Sequence, residues 1–351
     1  MGTFTTTAKN RRRTLLVSGI AAAAAAGLAV AVLPGIAESD SANATRSSGQ
    51  SGHGGHGAQG GEGDASVGVQ SGGAGTGRGG SVFAASMNGA NEVPVQGGPA
   101  VGDKDGRALE FVRVKGDKVS VTVKWRGTGR PTALHIHQGN KGVNGGIKVD
   151  FTGLLAKIKG NSVTGTVTVD DAALLAQLKA NPHSFYANLH TAEFPGGAVR
   201  GQLNKVGADV DFRGASANFQ ASVVQGKQIY ECKKADDGSG KFAFAQRDVR
   251  ALLGGDIAHR FTAPNSGTPQ WVAPDRSGVS AQLISKTPNG AGNIPELDLR
   301  ATQIGRRGGL LSSTAEILRL NTVGGVQPTG SCTPGKIVSV PYQADYVFVQ
   351  R

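Results

Sequence analysis

Val119, Val121, Val123 and Trp125 alternate with Ser120, Thr122 and Lys124. A period of two puts one apolar face on a core and one polar face toward water, which a strand does and a helix does not. Gly116-Asp117 just before it is turn chemistry, and residues 109–114 supply the partner of a hairpin. Short runs of the same kind, separated by Gly, Pro and Asn, recur at 133–137, 147–151, 163–169, 185–190 and 198–203. A second series follows at 228–232, 242–245, 279–284, 297–301, 317–320 and 346–349. One helix interrupts the first series: Asp170 or Asp171 caps it, Leu174, Leu175 and Leu178 face inward, and Asn181-Pro182 ends it. Residues 248–253 read as a single helical turn. The fold class is therefore all-β, with antiparallel sandwich or barrel architecture.

Glycine divides the chain. Of its 55 glycines, 15 fall in the 38 residues from Thr45 to Val82, a stretch with few large apolar side chains. Such a segment buries too little to offset its ordering entropy and reads as a disordered linker. Before it, Lys9, Arg11, Arg12 and Arg13 precede an apolar run at 15–33, Pro34 and the small residues Ala42-Asn43-Ala44. This is the three-part pattern of a cleavable export signal, and Arg12-Arg13 also fits a twin-arginine route; an uncleaved membrane anchor is the alternative reading. The expected organisation is a signal peptide at 1–44, a linker at 45–82, and β domains at 83–204 and 205–351. A secreted or extracellular location follows, with no stable membrane insertion after cleavage.

The net charge is +12. Residues 83–204 hold 14 basic and 9 acidic groups, and residues 205–351 hold 17 and 12. The excess is diffuse and lacks the Lys/Arg runs of a nucleic-acid interface, so nucleic acid is not an expected partner. An unknown extracellular ligand, such as an anionic cell-wall polymer or polysaccharide, fits this charge. The two cysteines, Cys232 and Cys332, have no Cys-x-x-Cys partner, and in an exported chain they read as a structural disulfide, with a metal or redox pair as the alternative.

Leu134-His135-Ile136-His137-Gln138-Gly139, Asn181-Pro182 and the run from Phe185-Tyr186-Ala187-Asn188-Leu189-His190 to Arg200-Gly201-Gln202-Leu203 resemble a CHRD domain, the module named after chordin. Met87-Asn88-Gly89-Ala90-Asn91-Glu92-Val93-Pro94 fits that family's opening strand and loop. The resemblance spans about 83–204 and implies an immunoglobulin-like β-sandwich in an extracellular setting; in animals the family is tied to proteins that bind growth factors. Ile229-Tyr230-Glu231-Cys232, Pro269-Gln270-Trp271, Gly292-Asn293-Ile294-Pro295 and Val340-Pro341-Tyr342-Gln343 resemble a family of secreted proteins of unknown function. That likeness implies an all-β fold, with a second cysteine like Cys332 near the domain's end.

His135 and His137 are two apart on a predicted strand, so both imidazoles project from one face. His190 lies on another strand and would complete a three-histidine set suited to copper or zinc, with Glu193 a possible neighbour. The His-x-His strand also resembles the copper strand of copper–zinc superoxide dismutase, itself a β-sandwich. The plain alternative is that these histidines satisfy buried backbone groups or stabilise a turn. His53 and His56 in the linker read either as a weak metal pair or as polar filler. In the second domain, His259, Trp271 and Asp275 form a conceivable site, with Trp271 either a sugar-stacking residue on a loop or a packing residue. Gly-x-Ser-x-Gly is absent. Three functions stand, in this order: a non-enzymatic extracellular binding or structural protein, a copper- or zinc-binding metalloprotein, and a hydrolase of wall or matrix polymers. Paired carboxylates in a matching context are not evident for the last.

Overall fold

Seventeen strands form among the described residues. The structure, a computed structural model, describes residues 79–351 except 209, 211, 213–216 and 236–237. The expected export signal, the expected linker up to residue 78, and His53 and His56 lie outside these.

The first module contains β1 (Ser81–Asn88), β2 (Arg107–Lys115), β3 (Lys118–Arg126), β4 (Pro131–Gln138), β5 (Ile147–Asp150), β6 (Ser162–Thr168), β7 (Phe185–Thr191), β8 (Val199–Gln202) and β9 (Asn204–Val206). They are joined antiparallel in the order β5-β4-β7-β8-β1-β2-β3-β6, with β9 also on β1. The path folds back on itself as a sandwich: Leu134, Ile136, Ala187 and Leu189 of one half share a core with Val112, Val121, Val123 and Trp125 of the other. The β2–β3 hairpin turns through Gly116-Asp117, with Lys115 opposite Lys118 and Gly116 at a φ of 59° that favours glycine. Helix α1 (Ala172–Ala180) starts where the Asp171 carboxylate accepts from the Leu174 amide at 2.8 Å. It buries Leu174, Leu175 and Leu178, the three leucines its pattern places inward.

The second module is a closed antiparallel barrel of β10 (Phe219–Lys234), β11 (Phe242–Leu253), β12 (Ile257–Phe261), β13 (Pro269–Val272), β14 (Ser277–Thr287), β15 (Glu296–Gly305), β16 (Thr314–Gly324) and β17 (Ile337–Gln350). The expected helical turn at 248–253 is instead the second half of β11. Its alternation is broken by a bulge: Ile229 faces Asp248 but Tyr230 faces Gln246, so one residue is skipped. The Asp248 carboxylate also accepts from the Val249 and Phe261 amides, at 2.8 Å each, which ties β11 to β12. Strands β12 and β13 lie between β11 and β14 in the barrel and were not evident in the sequence. The disulfide forms as expected, with Cys232 and Cys332 bridged at a Cα separation of 5.9 Å.

The modules share a face. Ala84, Leu109 and Phe111 of the sandwich pack on Leu318, Leu320, Val347 and Val349 of the barrel. At its polar centre, buried Asp345 accepts from Ser86 Oγ at 3.0 Å, Asn321 Nδ2 at 2.7 Å and Ser222 Oγ at 2.5 Å.

Candidate metal centre

Strands β4 and β7 pair so that His135 lies opposite Asn188, His137 opposite Tyr186, and Ala133 opposite His190. Opposed residues of an antiparallel pair share a face. His135, His137, Tyr186, Asn188 and His190 therefore stand on the face away from Leu134, Ile136, Ala187 and Leu189, which fill the core. One nitrogen from each of the three imidazoles lies within 4.8 Å of the others. His135 Nδ1 and His190 Nε2 are 3.3 Å apart.

The remaining nitrogens are held from behind. His137 Nδ1 lies 2.9 Å from the Gly145 carbonyl, and His190 Nδ1 lies 3.0 Å from the Pro195 carbonyl. A carbonyl only accepts, so both Nδ1 atoms carry the proton and both Nε2 atoms present lone pairs. His137 Nε2 is buried without a partner. His135 Nε2 sits 3.5 Å from the Asp150 carboxylate and 3.3 Å from Thr152 Oγ1, and the carboxylate favours the proton on Nε2, leaving Nδ1 open. The Nε2 lone pairs of His137 and His190 thus meet His135 Nδ1, which holds no proton in the tautomer that Asp150 favours. Metal-ligating histidines are oriented in this way, through carboxylates and carbonyls on the far nitrogen.

Burial holds all three rings neutral. The pKa of His135 is pushed down to about 4 by desolvation and then by neighbouring His190, against the pull of Asp150. Those of His137 and His190 are also lowered by burial, each opposed by its carbonyl bond. Neutral imidazole is the form that binds a metal ion.

The scaffold behind His137 is a stack. Its ring lies parallel to Tyr186 at 4.9 Å, and the Arg200 guanidinium covers the other side of Tyr186 at 3.5 Å. Arg200, 1% exposed, donates to Asn144 Oδ1 and to the Asn140 and Val143 carbonyls. It pins the loop whose Gly145 carbonyl sets the His137 ring. Gly145 is required there, since a Cβ would lie 1.6 Å from the Gln138 carbonyl oxygen. Sequence reasoning missed Gly145, Tyr186, Arg200 and Asp150. The Tyr186-x-Asn188-x-His190 alternation was the available signal for the first shared face. Glu193, the neighbour considered from sequence, is exposed on its turn and makes no contact with the cluster. Half-buried Glu92 lies near Arg200 instead, accepting from Asn188 Nδ2 at 3.4 Å, with its carboxyl pushed up to about 7 by desolvation.

The second sequence-derived set separates. His259 stacks on Trp271 at 4.2 Å inside the barrel, where Trp271 sits on β13 and not on a loop. Asp275 is outside the pair; its carboxylate accepts from Ser277 and from the Leu310 amide.

The site thus belongs to a β-sandwich fused to a β-barrel that carries one disulfide. Residues 83–203 match the CHRD domain family, and residues 250–350 match a protein family of unknown function, DUF3455. The chain carries a CHRD domain followed by that second domain. No curated protein and no solved structure matches it significantly.

Proposed function

We propose that the protein is an extracellular metal-binding protein whose CHRD domain holds one copper or zinc ion on His135, His137 and His190. One observation carries this reading: His137 and His190 are fixed through their far nitrogens, and one nitrogen from each of the three rings converges within 4.8 Å. Histidines that merely satisfied backbone groups would not need their second nitrogens to meet. Three imidazoles suit copper and zinc and leave a coordination position free for a further ligand. The disulfide and the CHRD domain support an oxidising, extracellular compartment.

Elemental analysis tests this reading. Protein purified without a His tag or chelator should carry close to one copper or zinc per chain, or take up one on titration. The His135→Ala/His137→Ala variant should keep its fold by circular dichroism and lose that ion. A protein that neither carries nor takes up metal, or a folded variant that binds it as well as the parent, would sink the proposal.

A further inference from the structure

The barrel interior contains a cavity of about 520 Å³. That volume is in the range of small-molecule sites, and an eight-stranded barrel is just wide enough to hold one small ligand. The cavity opens past Leu283, which is 57% exposed, and the Gly267-Thr268 turn. It is separate from the three-histidine cluster, none of whose residues line it.

One wall is aromatic. The His259 ring lies on Trp271 with 4° between planes, and Tyr346 meets both edge-on. Burial keeps His259 neutral, its pKa lowered to about 3, with Nδ1 donating to the Gln270 carbonyl at 3.0 Å. Leu297 and Leu299 complete the apolar lining.

Set in this lining is one cation. Arg319 of β16 lies in register between Leu297 and Tyr346. Its Nε and Nη2 donate to the Pro295 carbonyl at 3.2 and 2.8 Å. Among the described residues, no carboxylate pairs with it. Two more donors of the lining have no protein acceptor: Trp271 Nε1 and Gln228 Nε2, on side chains that are each 1% exposed. Buried N–H groups are almost always paired, so donors left over around a cavity call for an acceptor that the protein does not supply.

We infer that the barrel binds an apolar aromatic small molecule bearing a single carboxylate. Its ring system packs against the Trp271–His259 stack, Leu297 and Leu299, and the carboxylate pairs with Arg319. An apolar pocket with few fixed polar groups takes its affinity from the rings and its selectivity from the charge pair.

Calorimetric titration of the full chain with naphthoate and, separately, with naphthalenemethanol tests this. Naphthoate should bind saturably and the neutral alcohol about tenfold or more weakly, since a charge-assisted bond is lost. Arg319→Met should remove the difference by weakening naphthoate alone, and Ala281→Leu, which fills the cavity, should weaken both. Absence of saturable naphthoate binding at millimolar concentration, or equal affinity for acid and alcohol in the parent protein, would overturn the inference. The comparison of the two probes needs no variant, so a misfolded substitution leaves the test intact.

Discussion

Glu110 is the most consequential charge in the sandwich. It sits on β2 between Ala108 and Val112, opposite Ala85 and Val123, with no exposed surface. Neither carboxylate oxygen has a hydrogen-bond partner. Burial pushes its pKa up from 4.5 to about 8. A carboxyl whose folded pKa lies above its unfolded value stabilises the fold fully below the unfolded pKa, and that contribution is lost as pH rises through the folded one. Each tenfold change in proton affinity is about 1.4 kcal/mol. The loss therefore totals about 5 kcal/mol at most, of which about 3 kcal/mol falls between about pH 5 and pH 8. Glu110→Met removes the titration and fills the same space with a flexible apolar chain. Urea denaturation of both proteins across this range reads the effect as a difference, so other titrating groups cancel. The variant should gain on the parent steadily, by about 3 kcal/mol from about pH 5 to pH 8. A gap that stays constant with pH would refute the reasoning, because the carboxyl would then not be changing its charge in the folded state.

Three further outcomes follow from the same contacts. Gly145→Ala should move the carbonyl that orients His137 and weaken metal binding by about 10- to 100-fold with the sandwich intact, measured by competition with a chelator. Replacing Cys232 and Cys332 by Ser opens a loop with a sequence separation of 100 and should cost up to about 4.7 kcal/mol of barrel stability, read from denaturant midpoints. Asp345→Ala strands Ser86, Ser222 and Asn321 donors at the shared face, so it should cost about 3 kcal/mol, read from denaturant midpoints.

Local chemistry made much of the fold legible. The alternation at 119–125 lies within β3, and the Asp171 cap with its three leucines gave α1, because both signals act within a few residues. At 248–253 the reading failed because the bulge around Arg247 shifts the pleat, and Asp248, a buried carboxylate on a strand, looks like a cap. Strand β12 hid because its inward positions are Ile257, His259 and Phe261, and a polar ring in the middle breaks the apolar count. Barrel closure rests on β10 pairing with β17, residues more than 100 apart in sequence, such as Gln228 and Val340. Local patterns cannot show that. The same divide runs through the metal centre. His135 and His137 were visible as a pair two apart on a strand. Their meeting with His190 depends on the register of β4 against β7, and the clamp by Arg200 depends on a loop that folds over the sheet from elsewhere.

Metal binding at this cluster depends on which ring nitrogens are open. Two-bond proton–nitrogen correlation spectra of protein labelled at histidine, recorded with and without one equivalent of zinc, read each nitrogen separately. Protons should be retained on His137 Nδ1, His190 Nδ1 and His135 Nε2, with zinc shifting His135 Nδ1 and the Nε2 atoms of His137 and His190. Shifts at the opposite nitrogens, or spectra unchanged by zinc, would contradict this arrangement.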